Sequence, residues 1–109
     1  MASENKGNQI IESLENINRL IHEPSRLTIM AHLSVVESAD FLFLVRQTGM
    51  TWGNFSSHIS KLEAAGYVDI KKEFIGKKPH TVASLSKAGR LAFETYSGKM
   101  KQLLEKSSG

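Results

Sequence analysis

One stretch in the middle of the chain constrains the fold most, because a helical pattern there gives way directly to a strand pattern. The apolar side chains of its first part follow the i, i+4, i+7 spacing of a single helix face, at Phe55, Ile59 and Leu62. Thr51 is a favourable N-cap residue, and Gly66 suits the position just past a helix end. The stretch therefore predicts a helix over residues 52–65.

Two β-rich runs follow that helix at once, over residues 67–75 and 80–85. The sequence between them, Gly76-Lys77-Lys78-Pro79, favours a turn and predicts a β-hairpin with a basic tip. Residues 49–90 carry seven basic and three acidic side chains, although the net charge of the whole chain is only +3. This concentration of positive charge is typical of a surface that binds a polyanion, and the alternative is a solvated lysine-rich hairpin.

Three predicted helices precede this stretch and one follows it. Apolar residues recur at helical spacing over residues 8–21, and Pro24 separates that helix from a second one that runs to about Val36. Ser38 or Asp40 can cap a short third helix, and Ser86 can cap the last one.

The predicted fold class is mainly α with a β-hairpin wing, a winged helix-turn-helix of order α-α-α-α-β-β-α. At 109 residues the chain has room for one domain. We expect a disordered tail at 1–7, a winged-helix core at 24–86, and dimerisation helices at 8–22 and 87–106.

The solvent-facing side of the predicted helix 52–65 has the chemistry of a DNA-reading surface. Its polar residues are spaced so that they project together, and no acidic residue lies among them. A single helix fits the major groove of B-DNA, and a basic hairpin beside it suits the phosphate backbone or minor groove. The predicted DNA contacts are Thr51, Trp52, Gly53, Asn54, Ser57, His58, Lys61, Lys72, Lys77, Lys78 and His80.

Three of these residues also have a structural interpretation. His58 can hydrogen-bond within the domain, and Asn54 can assist local capping. Trp52 can contact the sugar-phosphate backbone or anchor the start of the helix. The anchor is the favoured role, because large aromatic side chains are usually mostly buried.

The stretch TWGNFSSHISKLEAAGYVDIKKEFIGKKPHTVASLSKAGR resembles the winged-helix regulators of the MarR/ArsR-like group, in their small single-domain branch. The residues that stand in that branch's signature are Gly53, Asn54, Phe55, His58, Ile59, Leu62, Glu63, Gly66, Tyr67 and Val68. The upstream HEPSRLTIMAHL is similar to the group's second helix, so that the resemblance covers roughly residues 20–95. It implies a prokaryotic-type transcriptional regulator, a dimer paired through its first and last helices, and palindromic or repeated operators.

The apolar stripes of the first and last predicted helices can pack within one protomer or against a second copy. Two amphipathic helices added to a small core are more simply explained by burial on a partner. The predicted homodimer interface consists of Leu14, Ile17, Ile21, Phe93, Tyr96, Met100 and Leu103.

Other classes of function find little support in the sequence. The chain has no cysteine, and its histidines are isolated, so that neither a disulfide nor a metal site is expected. Asp40, Ser57 and His58 lack the context of a catalytic triad, so that no enzyme activity or cofactor is expected. No apolar run is long enough for a membrane span, which favours a cytoplasmic protein. The sequence assigns no small-molecule effector.

Sequence-specific binding of double-stranded DNA as a homodimer is therefore the leading hypothesis. A winged-helix module that binds protein is the alternative from another class, and it predicts an acidic or apolar outer face on helix 52–65. A non-specific architectural DNA binder is the third candidate, but it usually needs many more basic contacts.

Overall fold

The computed structural model describes residues 15–108 and shows helices packed against a small antiparallel sheet. Its elements in chain order are α1 (Pro24–Ser34), β1 (Ala39–Asp40), α2 (Phe41–Thr48), α3 (Trp52–Ala64), β2 (Val68–Ile75), β3 (Lys78–Leu85) and α4 (Lys87–Ser108). The strands are ordered β1-β3-β2. This arrangement confirms the predicted winged-helix fold.

Side-chain caps set the helix starts. Asp40 Oδ2 accepts hydrogen bonds from the N–H groups of Leu42 and Phe43, at 2.8 and 3.3 Å, and thereby begins α2. Thr51 Oγ1 begins α3 by accepting from Asn54 N at 3.2 Å. Between these helices, Gly49 ends α2 in the left-handed conformation with φ 69°, which a residue with a Cβ rarely adopts.

The β-hairpin formed by β2 and β3 has a shorter connection than the sequence predicted. Its ladder runs from Val68 opposite Leu85 to Ile75 opposite Lys78. Only Gly76 and Lys77 remain in the turn, and Gly76 has φ 65°, as a two-residue hairpin turn requires. The predicted four-residue turn was therefore wrong, because Lys78 and Pro79 continue the strand. We call residues 71–80, the outer part of this hairpin, the wing.

Strand β1 was missed by the sequence analysis. It pairs with the inner end of β3, Ala39 opposite Ala83 and Asp40 opposite Val82. Two residues are too few to show a strand periodicity, and only their tertiary partner makes them a strand.

The predicted first helix is wrong over its last turns, because residues 16–23 form turns and bends. Asn18 Oδ1 accepts hydrogen bonds from Leu20 N and Ile21 N, at 3.0 and 3.2 Å, so that its side chain replaces the helical bonding of this backbone. Most of the predicted helix and the predicted tail at 1–7 lie outside the described residues. We call residues 16–23 the junction.

The core holds α3 in place through one buried face of the helix. Phe55, Ile59 and Leu62 are fully buried or nearly so, as their spacing predicted. They join buried residues from the junction, from the other helices and from the sheet: Ile21, Ile29, Met30, Leu33, Leu44, Val68, Ala83 and Tyr96. Burial of each large side chain contributes about 1.5–3 kcal/mol, so that the opposite face of α3 is held outward firmly.

Candidate nucleic-acid interface

The outer face of α3 is polar and open to solvent. Asn54, Ser57 and Lys61 are exposed, on the side of the helix turned away from its buried stripe. Glu63 is the helix's one acidic residue, and nine positions at 100° each place it about half a turn round the axis from Asn54. A ligand that meets this face therefore meets hydrogen-bonding groups and positive charge.

The start of α3 combines a capped backbone with an aromatic ring. Thr51 and Gly53 are exposed there. The Trp52 ring lies 6.2 Å from the ring centroid of Phe41 and 6.1 Å from that of Phe55, yet 53% of the residue is exposed. Trp52 is therefore less buried than an anchor was expected to be, because it covers the edge of the core.

His58 is turned towards the body of the domain. Its Nδ1 lies 3.2 Å from Arg26 Nη1 and 3.7 Å from Glu23 Oε2. Burial by itself would raise the pKa of Glu23. The N–H groups of Arg26 and Ser25 and the nearby His58 and Arg26 side chains outweigh it and lower that pKa below its usual value. The contacts with Arg26 and Glu23 therefore support a structural role for His58.

The wing presents three of the predicted basic contacts to solvent, namely Lys72, Lys77 and Lys78. It also exposes two apolar residues that the sequence analysis did not single out, Phe74 at 73% and Ile75 at 64%. Both lie beyond the end of the core, where the strand alternation no longer has a buried side. Only the tertiary structure shows where that end falls.

His80 contacts Asp40, the N-cap residue of α2. Its Nδ1 lies 2.9 Å from Asp40 Oδ1, which joins the inner end of the wing to the cap of α2. Burial would raise the pKa of Asp40, but the hydrogen bond from His80 and those from the Phe43 and Leu42 N–H groups lower it below its usual value. Because Nδ1 of His80 is engaged by Asp40, only Nε2 of the ring is left for a contact with DNA.

The residues predicted to face a second copy occupy two kinds of place. Ile17, Ile21 and Tyr96 belong to the protomer's own buried core and have almost no surface to offer. Phe93, Met100 and Leu103 are half-buried along α4. Leu14 lies outside the described residues.

Residues 15–108 carry neither of two other kinds of site. No group of three or more histidine, aspartate or glutamate side chains there is arranged to hold a metal ion. No helix in that range has the length and apolar character needed to cross a bilayer.

Comparison with known proteins defines the class. The winged helix DNA-binding domain family matches residues 25–104, and the chain belongs to that family. It is 32% identical to an uncharacterised protein of Methanocaldococcus jannaschii over 85 residues, which cover 78% of this chain and 92% of that one.

Solved structures give the same answer. A transcriptional regulator homologue from Pyrococcus horikoshii superimposes with a TM-score of 0.79 at 26% identity, over 90% of this chain and 95% of that chain. A MarR-like transcription regulator from Bacillus cereus shares the fold, with a TM-score of 0.66 at 16% identity over 98% and 80% of the two chains. The expected resemblance to MarR-type regulators is confirmed at the level of the fold, and the family to which the chain belongs is one of DNA-binding domains.

Proposed function

We propose that the protein is a homodimeric transcriptional regulator that binds specific double-stranded DNA sequences, with α3 in the major groove and the wing on the backbone or minor groove. The observation that carries this proposal is the outer face of α3. It is polar, exposed, free of acidic groups and fixed in direction by the core on its other side.

The side chains on that face match the chemistry of base edges. Asn54 suits the paired donor and acceptor of adenine, and Lys61 suits guanine or a phosphate. Ser57 can bond to either a base or a phosphate. An acidic or apolar face would favour a protein partner instead, and α3 has neither.

The wing supplies the contact that does not depend on sequence. Lys72, Lys77 and Lys78 are exposed on an arm that extends beyond the core. Lysines of this kind neutralise phosphates and release counterions, so that their contribution to affinity falls as salt rises. They would hold the protein in register while α3 reads the bases.

Helix α4 supports a dimer. It has 22 residues and so extends about 33 Å at 1.5 Å per residue. Half-buried Met100 and Leu103 and the exposed Leu104 continue its apolar side towards the C-terminal end. A second copy would cover these side chains, with residues 24–86 as the DNA-binding core of each protomer.

Selection of bound duplexes from a random pool tests the function directly. The salt concentration is about 0.15 M, because salt screens the phosphate contacts and thereby weakens non-specific binding. We expect a palindrome or repeat with half-sites near one helical turn apart. No enrichment, together with binding that vanishes at this salt, would favour the protein-interaction module. Binding to all duplexes with equal affinity at this salt would favour a non-specific architectural DNA binder.

A further inference from the structure

The junction is tied to several elements by polar contacts in addition to its buried Ile17 and Ile21. Asn18 Nδ2 donates to the Tyr67 hydroxyl at 2.9 Å, at the start of the sheet. Two further contacts join the junction to α4. His22 Nδ1 lies 2.8 Å from the hydroxyl of Tyr96, and the Asn16 carbonyl accepts a hydrogen bond from Lys99 Nζ at 2.8 Å. The junction is therefore a fixed support against which another element can be held.

Arg26 connects this support to α3. Its Nε donates to the Leu20 carbonyl in the junction at 2.6 Å, and its Nη1 donates to His58 Nδ1 at 3.2 Å. The Arg26 side chain is only 13% exposed, and Glu23 Oε2 lies 3.9 Å from Nη1 while it also accepts from Arg26 N at 2.8 Å. The guanidinium thus contacts the Leu20 carbonyl of the junction on one side and His58 of α3 on the other.

We propose that Arg26 is a positioning residue for DNA recognition, which fixes the rotation of α3 against the junction through His58. This inference rests on the proposed function, because it concerns the direction in which Asn54, Ser57 and Lys61 project towards the DNA. It assigns His58 a role through its Nδ1 atom, inside the domain, in place of base reading.

The shape of the guanidinium explains why arginine stands here. Its donors form a rigid planar fork, so that Nε and Nη1 can point to two acceptors at once. A lysine ammonium keeps the charge but is a single point on a flexible stem. Arg26→Lys therefore removes the connection and leaves the charge.

The proposed hydrogen bond also predicts the tautomer of the neutral imidazole. Arginine only donates hydrogen bonds, so that this hydrogen bond requires an unprotonated Nδ1 on His58, and in the neutral ring Nε2 then carries the hydrogen. Nitrogen NMR of the imidazole in the free protein, at a pH where the ring is neutral, should show this tautomer for His58. Arg26→Lys should shift the spectrum towards a mixture, and an unchanged spectrum would overturn the inference without any DNA present.

Two substitutions at His58 separate positioning from base reading. The amide of an asparagine at 58 lies near the place of Nδ1 and keeps an acceptor for Arg26, whereas that of a glutamine reaches the place of Nε2. We expect His58→Asn to keep discrimination between the selected and a scrambled duplex, and His58→Gln to lose it. The reverse result would overturn the inference in favour of base reading by His58.

The decisive experiment measures wild type, Arg26→Lys and the control Arg19→Lys, which makes the same change at an exposed junction residue. We expect Arg26→Lys to bind the selected duplex about tenfold more weakly, the scale of one missing charge-assisted hydrogen bond, with scrambled-duplex affinity and salt slope unchanged. Arg19→Lys should match wild type.

Three results would contradict this expectation. Equal weakening on both duplexes with a salt slope lower by about one would mean that Arg26 contacts phosphate. Full discrimination in Arg26→Lys would overturn the positioning role alone. A wild type without any preferred duplex would overturn the proposed function, and this inference with it.

Discussion

Two glycines of α4 look alike in the sequence and have opposite roles in the structure. Gly89 is buried, and a Cβ there would lie 2.9 Å from the carbonyl carbon of Tyr67 and closer still to its oxygen. Gly98 is exposed, with nothing within 4 Å of the place a Cβ would take. The first lets α4 pack on the start of the sheet, whereas the second only weakens the helix.

Alanine at each position should therefore change stability in opposite directions. We expect Gly89→Ala to lower the free energy of unfolding by about 1–3 kcal/mol, the usual cost of overpacking. Gly98→Ala should raise it by up to about 1 kcal/mol through better helix propensity. Urea unfolding followed by circular dichroism measures both, and a Gly89→Ala protein as stable as wild type would contradict the close approach.

The Asp40–His80 pair predicts a pH dependence of stability. Because the pKa of Asp40 is lower in the folded state than its usual 3.8, the charged carboxylate stabilises the fold above that value. The contribution is lost as pH falls through the folded-state pKa, below 3.8. Asp40→Asn keeps a good N-cap but cannot ionise, so that it should show a flatter loss of Tm between about pH 5 and 2. Parallel curves for the two proteins would refute the assignment.

At the scale of the element, α3 and the wing divide the work of binding. Asn54→Ala should reduce discrimination at one base position, by about 1–3 kcal/mol, and leave the salt slope unchanged, because it removes a base contact and no charge. Binding of the selected duplex and its single-base variants measures this. An equal loss on every variant would indicate a phosphate contact instead.

Removal of the wing charges should have the other signature. The double change Lys77→Ala and Lys78→Ala should weaken binding to every duplex alike and lower the salt slope by about one for each phosphate that is no longer neutralised. Titrations at several salt concentrations measure it. The double change Lys101→Ala and Lys106→Ala, in the last turns of α4, removes the same charge and is the matched control. An effect as large from that change would mean that general charge rather than the wing is responsible.

At the scale of the whole molecule, the apolar side of α4 predicts the oligomeric state. Light scattering at micromolar concentration should give twice the 12.1 kDa of the chain. Leu104→Glu should shift the mass towards a monomer, because Leu104 is 62% exposed in one protomer and would carry a charge into the interface. Gln102→Glu adds the same charge on another side of the helix and should remain dimeric. A monomeric wild type would refute the dimer.

The fold followed from local signals that act over a few residues. The caps Thr51 and Ser86 and the buried stripe of α3 were readable, and Asp40 was one of two candidate caps, because a cap needs one side chain and a helix face repeats every 3.6 residues. The family followed from the same stretch. These features belong to the sequence by itself.

Associations between distant parts of the chain were decided only by the tertiary structure. The pairing of β1, the attachment of His80 to Asp40 and that of His58 to Arg26 join residues 32 to 44 positions apart, and no local pattern encodes such partners. The Asn18 turn had a local signal, a side chain that competes with helix bonding, but apolar periodicity outweighed it in the sequence. Periodicity tells which face is buried. It does not tell what covers that face, because burial depends on elements that only folding brings together.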